Sequence, residues 1–194
     1  MVRADKARNQ EIVLAAAGRL FDAARDPDDV SMDAVAAEAG VGKGTIFRGF
    51  GDRAGLIRAL YEQRAAAFVA QTHREAPAHQ GSPADAVHFL LLRLWQFKRQ
   101  NRMLALSLDR AGQGSPYRND SYDDALGRLK DLLAHHGEQA DFLAHALLAA
   151  VRSDLVEHLR DRPDEEIAAG LRTLVDRVAG RHPNLPCPAG NDPQ

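Results

Sequence analysis

Apolar residues along this chain recur at helical spacing, with Ala and Leu returning every three or four positions, and runs of β-branched residues that would mark strands are sparse. That pattern restricts the fold to an all-α architecture, and about nine helices are expected. The first runs over about 6–24, with Ile12, Ala16, Leu20 and Phe21 on its buried side and Val13, Ala17 and Ala24 widening it. Pro27 and its neighbouring aspartates then favour a loop. A long fourth helix is expected over about 53–75, followed by a linker rich in small residues and proline at 76–83. Ser82-Pro83, a cap followed by proline at the first helical position, opens the second half. Helical patterns follow at 83–99, 101–111, 119–136, 138–161 and 164–180. Residues 182–194 have no periodicity and are expected to be disordered.

The most informative stretch lies between the first and fourth helices, at Ser31 to Phe50. Ser31 is a good N-cap, Asp33 suits the first turn of the helix it opens, and Val30 and Val35 occupy the positions of a hydrophobic staple. Gly40 falls where that helix must turn, and Gly42 can cap the next, which ends near Phe50. Val35, Ala39, Val41, Ile46 and Phe50 are spaced so that the two short helices bury one shared face. Lys43, Thr45, Phe47 and Arg48 then point elsewhere. A helix offered to the DNA major groove needs such a free face: lysine for phosphate, threonine for phosphate or a thymine methyl, arginine for guanine. On spacing alone, a plain helical hairpin with a solvated charged face fits as well.

Other readings find less support. The net charge of -2 counts mildly against nucleic acid, although a local basic patch is enough for binding. No apolar run reaches the roughly 18 residues of a membrane span, and the N-terminal residues show no export signal, so a cytoplasmic protein is expected. The single cysteine, Cys187, excludes an internal disulfide. His135, His136, His145 and His158 lack ligand spacing on a helix face, and no metal or cofactor is expected. No nucleophile elbow, P-loop or dinucleotide fingerprint is present; GVGKGT lacks the Walker spacing. No enzymatic activity is expected.

The segment GVGKGTIFRGFGDRAGLIRAL, Gly40 to Leu60, resembles the signature of the TetR family of bacterial transcriptional repressors. The likeness extends back through SMDAVAAEAG and AAAGRLF and covers roughly the first third of the chain. It implies a homodimer with an N-terminal helix-turn-helix domain at 1–52, linked by the fourth helix to a helical regulatory and dimerisation domain at 76–181. Carried onto this sequence, the resemblance puts Lys43, Gly44, Thr45, Phe47 and Arg48 on the recognition helix. It puts Ser31 near a phosphate, and Arg53 where the family usually has a backbone-clamping lysine. Phe47 stands where tyrosine is common and Gly49 where histidine is common, so two phosphate contacts are lost.

The second half is expected to hold an effector pocket that is apolar with a few polar groups, drawn from Phe68, His88, Leu91, Trp95, Met103, Leu106 and Tyr122, with Arg93 as a further polar candidate. Any helical bundle would place many of these in its core. Dimer contacts are expected from Leu143, Leu147, Ala150, Leu155, Leu171, Leu174 and Val178, although a central core helix would read the same way. The resemblance favours a twofold four-helix interface, which matches a pseudo-palindromic operator. The implied activity is a ligand-responsive regulator, a repressor by preference, released from DNA by a small apolar or amphipathic molecule. A helical small-molecule-binding protein and a constitutive DNA-binding protein are the alternatives.

Overall fold

A computed structural model describes residues 2–75, 81–110 and 120–179. The expected disordered tail, Cys187 and most of the linker lie outside them. The described residues form ten α-helices and no strand: α1 Val2–Ala23, α2 Met32–Ala39, α3 Lys43–Phe50, α4 Arg53–Glu75, α5 Pro83–Gln100, α6 Arg102–Arg110, α7 Asp120–Leu132, α8 Ala140–Ala149, α9 Ser153–His158 and α10 Asp164–Val178. The acidic loop after α1 is a 3-10 turn, Pro27–Asp29, closed by a capping box between Asp26 and Asp29.

The apolar residues gather into two cores. The first joins α1 to α4 through Val13, Ala17, Phe21, Val35, Ile46, Leu56, Ile57 and Leu60, and it also takes in Met103 and Leu104 from α6. The second is built from α5 and α7–α10, around Val87, Leu91, Leu129, Leu133, Ala144, Leu147, Val151 and Val175. Because α6 gives its side chains to the first core, the two halves of the chain are mechanically joined there. Ile12, expected on the buried side of α1, is 40% exposed, whereas Val13 is 1% exposed.

The segment expected to be one helix over 138–161 is two. The backbone leaves the helix after α8 and is extended at Arg152, with ψ 151°, before α9 begins. In an unbroken helix Leu155 would follow Ala144, Leu147, Leu148 and Val151 on the core face. The turn shifts that register, so Val156 is buried and Leu155 is left half-buried.

Ser82 and Asp85 form a capping box at the start of α5. The Asp85 carboxyl also accepts a 2.5 Å hydrogen bond from Arg172 of α10. Those hydrogen bonds, from Arg172 first and then Ser82, hold its pKa down to about 2.

Candidate nucleic-acid interface and the adjoining cleft

The free face of α3 is produced by its neighbours' caps. Ser31 Oγ accepts from the Ala34 amide at 3.1 Å and starts α2. Gly40 ends it in the left-handed region at φ 65°, a conformation that costs a side-chain-bearing residue about 1–2 kcal/mol. The Gly40 and Val41 amides bond back to the Ala37 and Ala36 carbonyls, closing the turn. Gly42 then enters α3 in extended conformation without a side-chain cap, and Gly51 at φ 79° leaves it. Asp52 caps α4 by accepting from the Gly55 amide at 2.7 Å.

Ile46, the one buried residue of α3, is fully buried against Val35 and α1. On the opposite side Lys43, Gly44, Phe47 and Arg48 are exposed and Thr45 is half-buried. Phe47 is 43% exposed. Lys43 Nζ lies 6.0 Å from its centroid and 2.6 Å from the Asp33 carboxylate. Both members of that pair are well exposed, so the pair is weak. Arg48 Nε donates back to the Gly44 carbonyl at 3.1 Å. A Cβ at Gly44 or Gly49 would meet nothing within 4 Å. Their missing side chains thus leave surface free rather than relieve crowding inside.

Arg53 is engaged within the protein. Its Nε donates to the Val30 carbonyl at 3.0 Å, Nη2 donates to the Pro27 carbonyl, and the guanidinium sits 5.9 Å from the Phe21 centroid. It braces the start of α4 against the connection between α1 and α2.

The residues expected to form an effector pocket are dispersed. Leu91 and Trp95 are buried in the second core. His88 Nε2 bonds to the Ala168 carbonyl at 3.1 Å and ties α5 to α10. Tyr122 Oη bonds to His145 Nδ1 at 2.6 Å, and Leu106 is half-buried on α6. Phe68, Met103 and Arg93 do line a common space, an open cleft of about 690 Å³ between α1, α4, α5 and the start of α6. Its lining is largely polar and includes Arg64, whose guanidinium binds Asp22 of α1 at 2.8 and 2.9 Å and Asn101 at 2.9 Å. No sequence signal marks this network, because its members are 37 and 42 positions apart.

Of the expected dimer contacts, Leu147 and Leu171 are buried within the chain, and Leu143, Ala150, Leu174 and Val178 pack half-buried against the second core. Beside them on α8, Phe142 is 75% exposed and Ala146 and Ala149 are exposed. Among the described residues, no three His, Cys, Asp or Glu side chains group as a metal site, and no helix is long and apolar enough to cross a membrane.

Two short helices at a glycine turn, the second held by one buried anchor with its other side exposed, form a helix-turn-helix that a helical second half follows. Comparison with known proteins agrees. Residues 13–60 match the model for bacterial regulatory proteins of the tetR family. The chain is 25% identical over 164 residues to the HTH-type transcriptional regulator SAB2452 of Staphylococcus aureus, covering 81% of this chain and 87% of that one. The fold is similar to that of a TetR-family regulator from Mesorhizobium loti (TM-score 0.66, 17% identity, 89% of this chain and 96% of the other). It is also similar to FadR from Bacillus subtilis, solved with stearoyl-CoA (TM-score 0.65, 14% identity, 89% and 99%). The likeness to the tetR family thus rests on the match over residues 13–60 and on similarity to regulators of that kind over most of the chain.

Proposed function

We propose that the protein is a ligand-responsive repressor of the cytoplasm, without enzymatic activity, that binds a pseudo-palindromic operator as a homodimer. The observation that carries this reading is the α3 surface: a cation pair, an exposed aromatic ring and two bare glycine positions opposite a single buried anchor. In this reading Thr45 and Arg48 read base edges, while Lys43 and the open backbone at Gly44 meet phosphate. Ser31 adds a contact from the start of α2, and Phe47 packs against the sugar-phosphate wall. Arg53 acts at the margin, chiefly by fixing how the chain enters α2.

Dimerisation through α8 and α10 is supported by the exposed apolar strip of Phe142, Ala146 and Ala149 beside half-buried Leu143, Ala150, Leu174 and Val178. A twofold pairing there sets the two α3 helices for half-sites about 34–36 Å apart, or a multiple of that. Release from DNA follows when a small amphipathic molecule prefers a conformation in which that spacing is wrong; equal affinity for both conformations shifts nothing.

The test is selection of bound duplexes from a random pool, followed by Thr45→Ala/Arg48→Ala on the recovered site. The double variant is expected to lose sequence-specific binding while remaining a folded dimer. Unchanged affinity in a gel-shift assay would refute the assignment of α3.

A further inference from the structure

The cleft beside α1 has a composition that its position in a bundle does not require. Four arginines, Arg64, Arg93, Arg99 and Arg102, line it with a single carboxylate, Asp22, in a chain whose net charge is -2. The carboxylates that pair with three of them lie outside the lining: Glu75 is 3.5 Å from Arg93, Glu157 is 3.1 Å from Arg102, and Asp164 pairs with Arg99. Guanidinium groups thus outnumber carboxylates four to one in the lining itself, each of them paired with a carboxylate. Its floor carries the Phe68 and Phe97 rings, 4.8 Å apart between centroids, with the Arg93 guanidinium 5.9 Å from the Phe68 centroid. Arg93 Nε is shielded from water and has no hydrogen-bond acceptor among the described residues, despite the attraction of Glu75.

We propose that this cleft is the effector site and that it takes an amphipathic organic anion, a carboxylate or phosphate borne on a flat apolar body. The anionic group is held by Arg93 and Arg64, and the apolar body lies on Phe68 and Phe97. A volume of about 690 Å³ is in the range that holds small organic ligands. The arginine fork matches carboxylate or phosphate oxygens in a way that a neutral ligand does not reproduce.

The site also has a route to α3. Arg64 ties α4 to Asp22 on α1 and to Asn101 at the entry to α6, and Asn101 is only 5% exposed. An anion bound to Arg64 competes with Asp22 and weakens the link from α4 to α1. The next residues of α6, Met103 and Leu104, are packed in the core that holds α3. This regulatory consequence rests on the repressor reading; the binding site does not.

The experiment is titration calorimetry on the full chain with 2-naphthoate, 2-naphthyl phosphate and the neutral 2-naphthamide. At least one anion is expected to bind at least about tenfold more tightly than the amide, equal to about 1.4 kcal/mol. Arg93→Gln, checked for fold by circular dichroism, is expected to lose about as much, and so is raising the salt from about 0.05 M to about 1 M. Preference for the phosphate or for the carboxylate identifies which anion the site is built for. Equal binding of amide and acids, unchanged affinity in Arg93→Gln, or no heat from either anion at about 1 mM would overturn the assignment. Anion binding without any selected DNA would sink the repressor reading and leave the site standing; selected DNA without anion binding would do the reverse.

Discussion

Truncating Ile46 to alanine tests whether α3 is held in place by docking alone. The helix is only eight residues long and contains Gly44 and Gly49, each about 1 kcal/mol less favourable than alanine within a helix. It has no side-chain N-cap, and Ile46 is its sole buried residue, at 0% exposure. Ile46→Ala removes three carbons, worth about 2.4 kcal/mol at about 0.8 kcal/mol per buried methylene. The cavity left against Val35 and α1 adds to this, within the observed range of about 2–5 kcal/mol for such changes. A total near 3 kcal/mol corresponds to a fall in Tm of roughly 6–12 °C for a chain of this size. Leu129→Ala, at an equally buried position in the second core, is expected to cost about the same. Fluorescence anisotropy on the selected DNA, well below both melting temperatures, separates the two. Ile46→Ala should weaken binding more than about tenfold, the effect of 1.4 kcal/mol spent on re-docking α3, and Leu129→Ala should leave it within a few-fold. If the two variants lose stability alike and DNA affinity alike, the single-anchor reasoning is wrong.

Three further outcomes follow from individual side chains. Gly49→Ala places a methyl in open space within α3 and should raise stability by about 0.5–1 kcal/mol, read as a higher Tm; a lower Tm would mean that the glycine meets a constraint not visible in its surroundings. Phe47→Tyr adds a hydroxyl to a ring that is 43% exposed, and a new phosphate bond of about 1 kcal/mol should tighten DNA binding about fivefold in anisotropy measurements. No change would remove Phe47 from the backbone contact surface. Lys98 is pushed down to a pKa of about 8, first by desolvation and then by Arg152, against a partial offset from Asp154. Its folded pKa is thus below its unfolded one, so between about pH 8 and 10.5 the unfolded chain binds more protons and this residue's penalty fades as pH rises. Lys98→Met should therefore raise Tm at pH 7 and lose that advantage by about pH 10.5; an equal advantage at both would show that charge is not the cause.

The helix-turn-helix was legible in the sequence because its determinants are local. A serine cap, a staple and a glycine turn act within four or five residues, and these signals placed α2, α3 and the exposed face of Lys43, Phe47 and Arg48. Helical spacing likewise determined the all-α class. What only the tertiary structure decided depends on distant partners. Arg53 looks like a free cation in the sequence, yet carbonyls 23 and 26 positions away occupy it. Leu91 and Trp95 have the helical spacing of core residues and are also pocket candidates in the sequence; it is the packing of the second core around them that assigns them to the core. The break after α8 carries no proline, and it emerges only because Val156 is buried in place of Leu155. The arginine-lined cleft is the clearest case: α1, α4, α5 and α6 each supply a part of it, and no periodicity within any one helix reveals that their charges converge.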